Sequence, residues 1–260
     1  PAYSEEEVEN YRIGIAGFEG TNWYDETFRE QAFQQQHNFS AQGGNESLTF
    51  FTSMGYVEDN GLLKTDDLGY KKYTFRSNVT AQLTKNLKAN IQISGRYDKK
   101  ESPAESFFMI FKATRTGDPT AKPYANDNPQ YPSMLMPSNQ NPVAMSDRDL
   151  VGYSENVNKN FQSTLVLTYD VPFVDGLSLT GRYSYDSNNG MGKRLGKAYK
   201  LYDYDADTDA YTGYEQFAPT KISNSWNDYS LLNFQSQISY DKSFKDTHNV
   251  SATLVYEQQS

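Results

Sequence analysis

The sequence predicts an all-β chain arranged as an antiparallel up-and-down sheet of about eight strands, and three observations carry that prediction. Residues alternate apolar and polar over unusually long runs. The connections between those runs alternate short and long. One face of the runs is free of charge.

The first run opens at Gln35 and meets a second at Gly43-Gly44-Asn45, where a tight turn is expected, so 35–57 reads as a hairpin. Within the second run Leu48, Phe50, Met54 and Tyr56 outweigh Phe51 and Val57, so the even positions, with Phe39, are expected on the apolar side. Tyr73, Phe75, Ser77, Val79 and Ala81 then alternate with Thr74, Arg76, Asn78 and Thr80. After the short link Thr84-Lys85-Asn86, Leu87, Ala89, Ile91, Ile93 and Tyr97 alternate with Lys88, Asn90, Gln92 and Ser94. The rhythm returns at 161–171, 177–185, 232–240 and 250–256. Links at 172–176 and 244–249 are short, whereas 58–70 is medium and 100–157 and 188–226 are long. All tight turns therefore fall at one end of the sheet and all long loops at the other.

The apolar face could meet either a protein core or lipid. Loops of this length are unusual inside a compact soluble barrel, and transmembrane barrels combine short turns with long loops. The polar face carries Ser, Thr, Asn and Gln rather than the Lys and Glu of a water-facing surface. Tyr56, Tyr73, Tyr97, Tyr169, Tyr183, Tyr185, Tyr240 and Tyr256 gather near strand ends, as an interfacial girdle would. The pattern favours a transmembrane barrel over a soluble sandwich that uses Tyr as edge filler.

Composition narrows the function. A net charge of −9 argues against nucleic acid, whose binding rests on a basic surface. With no cysteine there are no disulfides, thiolate catalysis or Cys-based zinc sites, and His37 and His248 lie far apart. No nucleophile elbow or phosphate loop is present, so no enzyme activity is expected. No run reaches the ~20 apolar residues of a membrane helix. The first residues lack the regions of a signal peptide, as in a cytosolic chain or an internal piece of a longer one.

Within the connections, Ser102-Pro103-Ala104-Glu105 reads as a capping box for a helix that stops at Gly117, and Thr21-Asn22 as the cap of a short helix through Phe28 or Arg29. The stretch 117–145, rich in Pro and Asn, reads as loop. Asp203, Asp205, Asp207 and Asp209 alternate as calcium ligands do. An EF-hand needs Gly where Thr208 stands and Glu where Tyr214 stands, so a polar hairpin turn is favoured and no cofactor is expected. Trp23, Tyr124, Tyr131, Tyr202, Tyr211 and Trp226 are candidates for stacking on sugar rings, against the plainer reading of loop and interface anchors. Arg76, Arg96 and Arg182 fall on the polar face, where they would line a lumen or pair with neighbours.

The stretches TNWYDETFREQAFQQQHNFSAQGGNESLTFFTSMGYVEDNGLL and YKKYTFRSNVTAQLTKNLKANIQISGRYD resemble the SusC/RagA-type TonB-dependent outer-membrane transporters of the Bacteroidetes. NQNPVAM before NFQSTLVLTYDVPFVDGLSLTGRYSYD is similar to that family too. Asn22 departs from it, standing where Asp is commoner. The resemblance implies a partial barrel, about eight or nine strands of roughly 22, with the plug domain outside this chain. The expected organisation is extracellular loop 1–34, hairpins 35–57 and 71–99, long loop 100–157, hairpin 158–187, long loop 188–226 and hairpin 227–260. It also implies import of an oligosaccharide, or less readily a peptide, across the outer membrane. A SusD-like surface lipoprotein would be the partner, and TonB would engage parts outside this chain. The competing readings are a non-transporting eight-stranded outer-membrane barrel and a soluble domain that binds carbohydrate or host ligands.

Overall fold

A computed structural model describes residues 4–15, 17–134, 140–245 and 247–260. Eight strands form one antiparallel sheet: β1 (Gln34–Gly44), β2 (Leu48–Asn60), β3 (Gly69–Gln82), β4 (Leu87–Pro103), β5 (Gly152–Asp170), β6 (Leu177–Gly196), β9 (Lys221–Phe244) and β10 (His248–Gln259). Each strand pairs with its sequence neighbour, except that β6 pairs with β9. Between those two, β7 (Tyr199–Asp205) and β8 (Ala210–Gln216) form a separate hairpin within 188–226, its turn where the aspartate run predicts a polar hairpin turn and its two strands not expected. The sheet is not closed; it is a stretch of barrel wall.

Register sorts the faces. Tyr56, Tyr73 and Tyr97 stand in one cross-strand row, and Met54, Phe75, Gly95 and Phe161 in another. The even positions of β2 thus share the apolar face, and Phe39, opposite Met54, joins them. That face has no core against it. Phe39 is 68% exposed, Tyr183 50% and Leu254 69%. From Leu87 to Tyr97 the band spans ten steps of ~3.3 Å. At a tilt of ~40° that is about 25 Å of membrane thickness, the height of an outer-membrane apolar band. Rings His37–Tyr56, Tyr56–Tyr73 and Tyr73–Tyr97 follow one another at 6.3, 5.0 and 6.1 Å, forming the girdle on the loop side. On the other face Arg76, Asn78, Gln92, Gln162, Thr164 and Asp186 line a polar groove of about 430 Å³. Arg96 is not free there; its Nε lies 2.6 Å from Oδ1 of Asp98.

Several strands run past the band into the loop region. β5, β6 and β9 pair as far as Gly152, Gly196 and Lys221. Above them the long connections fold into a cap with its own interior. One cluster joins Phe28, Leu63, Ile110, Ala113 and Met145, and a second joins Ala104, Ala144, Val151, Tyr199 and Leu201. The cap contains α2 (Trp23–Thr27), α3 (Phe107–Thr116), α4 (Pro142–Ser146) and α5 (Arg148–Val151), whereas α1 (Glu5–Ile13) buries no residue. Asn22 caps α2, accepting from the N–H groups of Tyr24 and Asp25.

The capping box expected at 102–105 does not form. Ser102 and Pro103 instead close β4 opposite Ser154 and Tyr153, and Ser106 caps α3 by accepting from the N–H of Met109 at 3.3 Å. Ladder bonds to β5 outweigh one local cap. Of the Pro- and Asn-rich stretch, residues 135–139 lie outside the described residues, as do residue 246 of the last short turn and the first three residues of the chain.

Candidate functional site

The cap brings four of the six aromatic candidates to one place. Leu201, fully buried, anchors β7 on the second cluster and thereby fixes its neighbour Tyr202. The backbone of Tyr202 is clamped on both sides: its N–H donates to the carbonyl of Pro132 at 2.8 Å, and its carbonyl accepts from Met134 at 2.9 Å. Against it stands Tyr131, with ring centroids 5.0 Å apart and edge to face. Tyr131 also lies flat on Tyr211 at 4.0 Å, and Tyr211 meets Tyr204 at 4.9 Å. Asn126 Nδ2 donates to the Tyr211 hydroxyl at 3.3 Å. Tyr124, Tyr202, Tyr204, Lys122, Asn126 and Asp203 line the adjoining cleft of about 270 Å³.

Asn141 organises this region. Its side chain is fully buried and makes four hydrogen bonds. Nδ2 donates to the carbonyls of Pro123 (2.8 Å) and Ser133 (3.0 Å), and Oδ1 accepts from the N–H groups of Val143 and Ala144 at 3.1 Å each. One residue therefore caps α4 and ties together the two segments that carry Tyr124 and Tyr131. The Asn-Pro pair in NQNPVAM was the visible signal, although its structural work was not legible.

The electrostatics suit polar neutral ligands. Burial, with the Asp147 and Glu26 carboxylates adding to it, pushes the Tyr124 phenol up, so it remains a neutral hydroxyl. The Tyr204 hydroxyl donates to Asp209 Oδ1 at 2.9 Å, which likewise raises its pKa. Aromatic faces beside hydroxyl, carboxylate, amide and ammonium groups can pack against the C–H face of a ring while bonding its edge.

The remaining candidates sit elsewhere. Trp23 is 3% exposed, and its Nε1 donates to the carbonyl of Asp118 at 2.8 Å. A side chain on Gly117 would strike its ring, so Trp23 is an anchor closed to ligand. Trp226 lies within β9 opposite Met191, 72% exposed and outside the tyrosine cluster. Asp203 and Asp205 belong to β7; Asp205 accepts from the N–H of Asp207 at 2.9 Å, as a turn requires. Hydrogen bonds from the Thr208 side chain first, then from Asp207, hold its carboxyl below the usual range. Among the described residues no three acidic or histidine side chains come close enough to hold a metal ion. Tyr204, Lys122, Asn126 and Asn141 escaped the sequence reading; the first three stand two residues from a candidate tyrosine, but only the fold shows that they share its cleft, and Asn141 is brought in by the fold alone.

No family model matches the chain. It is 32% identical over 114 residues to the TonB-dependent receptor SusC of Bacteroides thetaiotaomicron, covering 44% of this chain and 11% of that protein. It is 21% identical over 226 residues to TonB-dependent receptor P39 of Formosa agariphila, covering 87% of this chain and 20% of the relative. The chain thus spans a fifth or less of the length of these curated relatives. Among solved structures, that of the RagAB peptide transporter superposes with a TM-score of 0.64 at 16% identity, covering 92% of this chain and 25% of that one. A second, the RagAB peptide importer in its closed-closed state, gives 0.55 at 14% identity and shares the fold.

Proposed function

We propose, from the premise that this chain is a stretch of barrel from a SusC/RagA-type TonB-dependent receptor of the outer membrane, that the whole protein imports an oligosaccharide. Binding energy at the loop end would select the ligand, and TonB, acting on parts outside this chain, would drive its passage. A SusD-like surface lipoprotein would cover the cap. Exposed Phe107 and Phe111, linked through Phe28 to Tyr24, and exposed Phe108 offer it an apolar surface.

The observation that carries the substrate class is the tyrosine cluster, Tyr131 on Tyr211 with Tyr202 and Tyr124 beside it, next to Asn126, Asp203 and Lys122. Stacked phenols flanked by hydrogen-bonding groups match the two chemistries of a pyranose, an apolar ring face and a polar rim. A peptide is the second reading, favoured by the likeness to structures described as peptide transporters.

Calorimetry on the full-length protein with its lipoprotein, against panels of oligosaccharides and of peptides, tests the choice. An oligosaccharide is expected to bind, and Tyr211→Ala to weaken it about tenfold, the worth of one aromatic stack. Saturable binding of peptides alone would overturn the glycan reading.

A further inference from the structure

We propose that the loop-side edge of the apolar face contains a built site for a phosphorylated glycolipid of the outer leaflet. One acyl chain would lie in a groove floored by Gly95, and the phosphate would meet Lys159. The groove measures about 690 Å³ and opens on the membrane face rather than on the lumen. Its upper wall is the tyrosine row Tyr56, Tyr73 and Tyr97, and its lower wall is formed by Phe39, Met54 and Phe75.

The floor exists because of one residue. Gly95 stands between Phe75 and Phe161 in a cross-strand row where a large side chain would be ordinary. Its backbone does not require glycine, since its φ is not positive. A Cβ there would meet only the carbonyl oxygen of Asn160, at 3.9 Å. Glycine within a strand weakens it, and it often marks a place where a ligand comes close to the backbone. Here it leaves a furrow between Phe75 and Phe161.

The upper end of the furrow is charged. Lys159 pairs with Tyr97 on the same face, at the level where the band ends and headgroups begin. It is exposed and makes no ion pair among the described residues. The nearest carboxylates in the rows beside it are already engaged. Glu58 accepts from Gln35 and Tyr56 and lies 3.2 Å from Lys71, and Asp228 accepts from Asn189 at 2.9 Å. An unpaired ammonium at the headgroup level of a lipid-facing groove complements an anionic headgroup. The accessible faces of Tyr73 and Tyr97 beside it suit a sugar rather than a glycerol.

Native mass spectrometry of the full-length protein in mild detergent, titrated with lipid A, dephosphorylated lipid A or phosphatidylglycerol, tests this. Lipid A should be retained selectively. Lys159→Gln should weaken retention about tenfold, the worth of a charge-assisted hydrogen bond, and Gly95→Phe should fill the groove and weaken it comparably. Gly181→Phe adds the same ring at another open position on the apolar face and should leave retention unchanged. Heat-modifiable gel mobility identifies variants that have failed to insert. If Gly95→Phe fails, Gly95→Ala and Lys159→Gln still read the site. Equal retention of lipid A and phosphatidylglycerol, or indifference to both Lys159→Gln and the glycine substitution, would overturn the proposal. An intact fold with no selectivity would leave the membrane placement standing.

Discussion

Replacing Asn141 by alanine removes four hydrogen bonds from a fully buried position. Loss of the α4 cap costs about 1 kcal/mol. The half-buried carbonyls of Pro123 and Ser133 each lose an amide donor, Pro123 keeping the N–H of Ser133 at 3.0 Å, about 1 kcal/mol apiece. The cap should therefore lose about 3 kcal/mol of local stability, a change of roughly a hundredfold in its opening equilibrium. Hydrogen exchange on the full-length protein reads this directly. Amides of residues 122–134 and 141–151 should exchange faster, while those of β3 and β4 within the membrane band should not change. Asn141→Asp separates the two roles. Aspartate caps a helix as well as asparagine does, yet it cannot donate to the two carbonyls and would bring a negative charge to them. It should destabilise at least as much as alanine. If Asn141→Asp exchanges like the wild type, the carbonyl bonds carry nothing and the reasoning fails.

Three further outcomes follow from the same geometry. Leu201→Ala should cost about 2–5 kcal/mol through the cavity it leaves, freeing β7 and β8 so that exchange rises across 199–216 and the Tyr131–Tyr211 stack is lost to binding assays. Burial raises the pKa of Glu105, with Arg194 opposing it, so the folded cap binds this proton more tightly than the unfolded chain does. Its stability should then fall as pH rises from the ordinary value of 4.5 through the raised folded value, and Glu105→Gln should flatten that slope in a pH series of proteolytic susceptibility. Phe75→Arg places a charge on the lipid face and should cost about 1–3 kcal/mol in refolding into vesicles, whereas Thr74→Arg on the polar face should be nearly neutral.

The barrel wall was legible because its constraint is periodic. Every second residue of 73–83 and 87–97 is apolar apart from the small Ser77, and no loop could imitate that over two neighbouring strands. The even set of β2 could be chosen from Leu48, Phe50, Met54 and Tyr56 for the same reason. What stayed hidden is held by contacts between distant segments. Ser102 and Pro103 look like a helix start until β5 arrives to pair with them. Of the β7–β8 hairpin only the turn was legible; its two short strands are masked by the run of Asp and Tyr from 202 to 215. Trp23 and Tyr131 are alike as candidates in the sequence, yet one is sealed under Gly117 and the other joins the cluster. Asn141 could not be weighed at all without knowing where Pro123 and Ser133 end up.

The central claim is that the odd positions of β3 and β4 face lipid. This chain contains no cysteine, and in a full-length protein whose other cysteines, if present, are replaced by serine, single cysteines placed through 73–83 and 87–97 can be tested in bilayers with a membrane-impermeant maleimide. With the lumen open to solvent on both sides, positions 74, 76, 78, 90, 92 and 94 should label, and positions 75, 77, 79, 89, 91 and 93 should resist until detergent is added. Labelling that shows no alternation, or that favours the odd positions, would contradict the account.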